Sequence, residues 1–367
     1  MDGWNRRDIG LVATAAALVF SRVFGLSLVL PNFRSHYEAT FAVDAVWIGL
    51  AFGAYGLTMA LMQLPAGLLS DRIGRKPLLI GSSLLFVLGS ILAAYATSIE
   101  WLIVGRLVQG LGAISSVAMA AVGETIPSHR RTLAMALIGI PAGAGFLLGM
   151  AVGPALFPAL GMQGLFLTTA AIGLLALLPV PWMHIAPASA RPAPTPGRGT
   201  AIAALALGGF TSNYALTTTL FFLPTTSWKV LLPMLVVALL LVGGVSRRID
   251  KAGWTTGPVA VGIVVVASAA AWFGLAGPML LAGAVFFTGH AVLQSALPSQ
   301  VSRVAGAAGG RGHGIQNVVA YLGTFAAGPI AGLTVATPWI AFVVLGVLAA
   351  VAAVLVLRVG PKPDTGP

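Results

Sequence analysis

The sequence predicts an all-α membrane protein in which twelve transmembrane helices form two pseudo-symmetric six-helix bundles. Three observations predict it. The 367-residue chain is 58% hydrophobic and only 8% charged, with a mean hydropathy of +0.96, whereas a soluble domain carries about 25% charged residues. Twelve apolar segments of near-bilayer length can be drawn along it. The second half also echoes the first: Asp71-Arg72-Ile73-Gly74 recurs as Asp250-Lys251-Ala252-Gly253, Pro127-Ser128 as Pro298-Ser299, and Gly153-Pro154 as Gly328-Pro329, at offsets of 179, 171 and 175 residues. Three matches in order and in corresponding places point to a duplicated six-helix unit.

The first span covers 9–31. It follows the basic flank Arg6-Arg7, and its apolar run to about Leu30 exceeds the roughly 7–15 residues of a signal-peptide core, so it reads as a retained membrane helix. Spans 2 to 6 cover 43–67, 78–97, 100–122, 132–157 and 161–183. Between His184 and Thr200 the chain turns polar and rich in Pro and Ala, the composition of a linker. The second bundle then follows as 200–223, 228–246, 257–276, 278–298, 314–335 and 337–358. The domain reading is therefore an N-terminal bundle over 1–183, a cytoplasmic linker over 184–199, and a C-terminal bundle over 200–367 that includes a short cytoplasmic tail. The junction Leu275-Ala276-Gly277-Pro278 is short enough to demand a tight hairpin.

Sixteen of the twenty Lys and Arg residues then fall on one side: Arg6, Arg7, Arg72, Arg75, Lys76, Arg130, Arg131, Arg191, Arg198, Arg247, Arg248, Lys251, Arg303, Arg311, Arg358 and Lys362. By the positive-inside rule that side is the cytoplasm, which places both termini there. The formal charge of +11 is thus a matter of topology and does not call for a nucleic-acid partner. The absence of cysteine excludes disulfides, thiol catalysis and thiolate metal sites.

The stretch between spans 2 and 3 runs from Gly67 to Pro77 and packs Asp71, Arg72, Arg75 and Lys76 around Gly74. Gly67 lets helices approach, Gly74 can supply the positive φ of a tight turn, and Pro77 suits the first turn of the next helix. The segment resembles the G-x-x-x-D-R-x-G-R-K loop that joins helices 2 and 3 in the major facilitator superfamily of secondary transporters. With Tyr55-Gly56-Leu57-Thr58 upstream and Gly105-Arg106 followed by Gln109-Gly110 downstream, the chain is most similar to the twelve-helix drug-efflux antiporters, and among them to the YajR-like branch. The resemblance implies the major facilitator fold and alternating access. It also implies proton-coupled efflux of drug-like or metabolite compounds, from a monomer in a cell inner membrane that uses the proton gradient in place of a cofactor.

Four constellations could carry that function. In the loop, Glu124 emerges from span 4 on the same side as Asp71 and Arg75 and can pair with Arg75; the resemblance further makes Asp71 a cap on the amino end of span 11, closing the cytoplasmic side as a gate. Inside spans 1 and 4 lie Arg22 and Arg106, the latter one turn before Gln109. Arginines at such depth are tolerated where they face protein or water, so they either bond backbone carbonyls and amides such as Gln109 or touch substrate. Span 5 repeats Gly145, Gly149 and Gly153 every four residues before Pro154, one smooth face for close helix packing. That run resembles the antiporter motif of drug exporters, with Gly139 and Pro141 upstream, but Ala155, Leu156, Phe157 and Pro158 replace the paired glycines that should follow. The second half offers Asn213 and Tyr214 in span 7, His290 and Gln294 one turn apart in span 10, and Gln316, Asn317 and Tyr321 in span 11.

No Asp or Glu lies near the middle of any span. Any coupling proton must therefore use His290, a terminal carboxylate such as Glu124, or the solute itself. The same absence motivates an alternative, an organic-anion transporter with a cavity lined by Arg and His, and a different class remains in a non-transporting scaffold or sensor. Enzymatic signatures fail on context: Asp364-Thr365-Gly366 lies in the last four residues, Gly143 and Gly145 lie inside a membrane span, and no Gly-Lys-Ser/Thr phosphate loop is present. No catalytic residue, metal site or cofactor is expected. The expected partners are a small-molecule substrate and the lipid bilayer.

Overall fold

The computed structural model describes residues 4–112, 115–185, 199–223, 233–234, 236–238, 240–241, 256–276, 280–305 and 309–359. Most of span 8, the Asp250 echo, most of the linker, the turn at Gly277-Pro278 and the end of the tail lie outside them, as do the side chain of Asp71 and the surroundings of Gly67. The elements are α1 (Arg6–Phe41), α2 (Ala45–Ile73), α3 (Arg75–Ala94), α4 (Ile99–Leu111), α5 (Ser115–Thr125), α6 (Ser128–Leu177), a 3₁₀ turn (Val180–Trp182), α7 (Gly199–Phe222), α8 (Thr256–Ala276), α9 (Leu280–Ala305), α10 (Gly309–Leu333) and α11 (Trp339–Arg358). The described residues through Ile185 make one compact unit, and those from Gly199 onward make a second.

In the first unit α1 lies along α6, α3 packs on α4 and α6, and α2 packs on α4. Helix α1 runs nearly three turns past the predicted end of span 1, with Pro31 inside it. The extension has a reason that average hydropathy does not register. Phe33, Tyr37 and Phe41 recur every four residues, and their rings meet at centroid distances of 5.0 and 5.3 Å, while Arg34 Nε donates to Glu38 Oε1 at 2.7 Å one turn on. Predicted spans 5 and 6 share α6, which is broken where Gly161 adopts φ 61° and ψ −176°, a conformation open to glycine. Predicted span 4 appears as α4 and α5, with residues 113–114 between them outside the described set.

In the second unit α7 packs chiefly on α10 and also meets α8, α9 and α11. Seven helices among the described residues are long and apolar enough to cross a membrane. Neither α7 nor α10 is among them; α7 carries the polar run Thr211 to Tyr214, and α10 carries Gln316, Asn317 and Tyr321. These two helices are packed on each other, which keeps polar side chains such as Asn213 and Gln316 buried against protein.

Candidate functional site

The glycine face of α6 meets α1 backbone to backbone. A Cβ added to Gly149 would stand 2.6 Å from the Phe24 carbonyl oxygen, and one added to Gly153 would stand 3.0 Å from the Leu28 carbonyl carbon, both inside van der Waals contact. Ser27 Oγ lies at this seam and donates to the Gly145 carbonyl at 3.3 Å. Gly139 and Gly143, earlier on the same helix, face open space. Pro154 follows within α6, where it withholds one backbone donor.

At the loop, α2 ends at Ile73 and Gly74 turns the chain with φ 90° while its N–H donates to the Ser70 carbonyl at 3.1 Å. Arg75 therefore starts α3 pointing back into the unit, where it is 5% exposed. Its Nε donates to Glu124 Oε2 at 2.8 Å, and its terminal nitrogens reach Glu124 Oε1 and Ser70 Oγ. This two-pronged ion pair fixes the α2–α3 turn onto α5. Lys76 Nζ donates to the Pro181 carbonyl at 3.0 Å, which ties the same turn to the end of α6. Arg72 is exposed.

Deeper in the unit, Arg106 is fully buried on α4. One terminal nitrogen donates to Gln109 Oε1, and Gln109 Nε2 donates in turn to Ser90 Oγ at 2.9 Å. The guanidinium lies 5.1 Å from the centroid of Tyr55 and 5.6 Å from that of Phe33, so aromatic faces supply part of the compensation that a carboxylate would otherwise provide. Arg22, 2% exposed, donates to Ser83 Oγ at 3.0 Å and Ser82 Oγ at 3.3 Å on α3. Each arginine keeps two buried nitrogens without a hydrogen-bond partner, and neither meets a carboxylate among the described residues. Unpaired buried cations are expensive, by several kcal/mol per ion in order of magnitude.

The second unit builds a neutral relay. His290 on α9 shares its Nδ1 with Ser212 Oγ of α7 at 2.9 Å and its Nε2 with the Gln294 amide nitrogen at 3.3 Å. Gln294 Nε2 also donates to Asn213 Oδ1 at 2.7 Å, and Asn213 Nδ2 donates to the Ala320 carbonyl of α10 at 3.1 Å. With Gln294 donating to Nε2, the ring proton belongs on Nδ1, directed to Ser212. The relay joins α7, α9 and α10, and Phe286 stacks on the imidazole at 6.3 Å. Tyr214 is fully buried and its hydroxyl donates to the Ala341 carbonyl at 3.5 Å. Gln316 is buried with an unpartnered carbonyl oxygen. Asn317 and Tyr321 are half-buried on either side of Ala320, and neither joins the relay.

The structure therefore brings together Arg75 with Glu124, Arg106 with Gln109, and Asn213 with His290 and Gln294. Residues that the sequence reading passed over complete these sets: Ser82, Ser83 and Ser90 on α3, the ring of Phe33, and Ser212; Tyr55, read there only as part of a motif, adds its ring. The signal for them was a polar residue inside an apolar span, which must be satisfied from within.

Apolar helices that enclose buried arginines in one unit and an imidazole relay in the other mark a multi-pass membrane protein with a buried polar cluster in each unit. Residues 12–328 match the Major Facilitator Superfamily family model, and the chain belongs to that family. Over 149 residues it is 44% identical to the Inner membrane transport protein YajR of Escherichia coli (strain K12), covering 40% of this chain and 33% of that relative. It is 34% identical over 182 residues to the Multidrug resistance protein B homolog of Mycobacterium tuberculosis (strain ATCC 25618 / H37Rv), covering 47% of this chain and 33% of that one. The matched part spans about a third of each of these relatives. The fold is also that of the human organic anion transporter MFSD10 (TETRAN), with TM-score 0.72, 18% identity, and coverage of 96% of this chain and 100% of that one. The POT family transporter PepTSo has it too, with TM-score 0.76, 12% identity and 97% coverage of both chains.

Proposed function

We infer that this chain is a secondary active transporter that moves a small molecule by alternating access, as proton-coupled efflux of drug-like or metabolite compounds. One observation carries the coupling: among the described residues the guanidinium and imidazole groups buried deep in the helices are those of Arg22, Arg106 and His290, and of these only the imidazole has an unperturbed pKa near neutrality. His290 is the proton carrier in this reading. Its relay to Ser212, Gln294 and Asn213 passes a change of protonation to three helices at once. The proton gradient supplies the energy without a cofactor. The names of the relatives support efflux and an inner-membrane location, and the lysine and arginine bias of the loops supports cytoplasmic termini.

A second reading has a specific observation behind it. Arg22 and Arg106 are buried without carboxylates, a charge that an organic anion would neutralise. Proteoliposomes with an imposed pH gradient separate the readings. Efflux of drug-like compounds predicts gradient-driven movement of a reporter dye, abolished by a protonophore and inhibited by cationic competitors. Inhibition by organic anions alone favours the second reading. Failure of the gradient to drive any member of a dye, drug and organic-anion panel contradicts proton-coupled transport of these classes.

A further inference from the structure

A pocket of about 270 Å³ lies within the first unit between the start of α1 and the end of α6, and the reading above does not use it. Arg6, Arg7 and His184 line it together with Gly10, Thr14 and Trp182. Arg6 and Arg7 are both exposed and neither is paired with a carboxylate among the described residues. Asp8, the acid of that turn, does not line the pocket. One wall is the 3₁₀ turn at Val180–Trp182, which Lys76 holds through the Pro181 carbonyl.

The approach to this pocket is apolar. Leu174, Leu175 and Leu178 on the last turns of α6 are 47%, 62% and 57% exposed, and Trp182 is 79% exposed. An exposed indole where an apolar face gives way to cations marks the headgroup level of a bilayer. The volume is below the roughly 300–1,000 Å³ of sites for drug-sized ligands, but it suffices for a headgroup whose chains stay outside against the leucines. We propose that this pocket binds the headgroup of an anionic phospholipid: Arg6, Arg7 and His184 take the phosphate, and the acyl chains run along the exposed leucine face of α6. Basic pockets at the cytoplasmic ends of membrane helices suit such headgroups. A bound lipid would also brace α1 against α6 at the end opposite the Gly153 seam.

Native mass spectrometry of the purified full chain with phosphatidylglycerol and phosphatidylcholine in competition tests this. The parental protein should retain phosphatidylglycerol preferentially, and Arg6→Gln with Arg7→Gln should weaken that preference by about twenty-five-fold, at about fivefold per cation. Because those arginines also direct membrane insertion, Gly10→Leu provides the independent variant. Gly10 lines the pocket and a Cβ there meets nothing within 4 Å, so leucine takes up pocket space and leaves the charges in place. It should likewise weaken the preference. Equal retention of both lipids by the parental protein, or an undiminished preference in Gly10→Leu, overturns the proposal. Displacement of the lipid by millimolar inorganic phosphate also overturns it, in favour of a soluble-phosphate site.

Discussion

In the first unit the deep polar groups are Arg22 and Arg106, permanent cations held by serine hydroxyls, one amide and two aromatic faces. In the second they are neutral, with an imidazole between a hydroxyl and an amide that is passed on through Asn213 to a backbone carbonyl. Guanidinium stays charged at any physiological pH, whereas imidazole changes charge near neutrality. The difference teaches that a duplicated fold can divide its electrostatic work. In the proposed mechanism one half holds fixed positive charge and the other the titratable imidazole.

The largest effect expected from breaking this contrast is at the fixed charge. Arg106→Gln should lower transport by about tenfold or more, equivalent to roughly 1.4 kcal/mol of barrier, at every pH and without changing the profile's shape. Thermal stability should stay near parental, since removing an unpaired buried charge also removes its desolvation cost. Vesicle transport and a thermal-shift assay on the same preparation check both parts.

The rigidity of the first unit offers a second test. Gly149→Leu should destabilise by about 1–3 kcal/mol through overpacking and suppress transport, because its Cβ is driven into Phe24 and Ser27 of α1. Gly143→Leu, on the same helix but facing open space, should be close to neutral in thermal unfolding. Equal effects of the two would remove the special role of the α1–α6 seam.

A smaller effect is expected at the loop. Glu124→Gln keeps the shape and one acceptor for Arg75 but removes the charge, and the partly exposed position of Glu124 limits the loss to about 1–2 kcal/mol. Its thermal midpoint should fall below the parental value, while the pH profile of transport should keep its shape.

Much of the fold was legible because lipid imposes a simple rule on a chain: long apolar runs separated by cations. Where other physics intervened, the reading shifted. The apolar run of span 1 ends near Leu30, yet an aromatic ladder from Phe33 to Phe41 and an i,i+4 ion pair carry α1 onward. Gly161 turns the chain by a single positive φ, which no average over a window reveals. At the site, the pairing of His290 with Gln294 followed from helical spacing, and that of Arg106 with Gln109 from their placement on one turn. The contributions of Ser82, Ser83, Ser212 and Tyr55 depend on which helices pack together, which spacing along one chain does not encode.

The division between a fixed and a switchable half is tested most directly by the pH dependence of uptake into everted vesicles, from about pH 5.5 to about 8.5, a range that brackets the unperturbed imidazole pKa. His290→Gln should change the profile more than it changes the apparent affinity for the solute, while Arg106→Gln should lower the rate at all pH values and keep the parental shape. If His290→Gln retains the parental profile and Glu124→Gln flattens it, the coupling proton belongs to the Arg75–Glu124 cluster, and the assignment of proton response to the second unit is wrong.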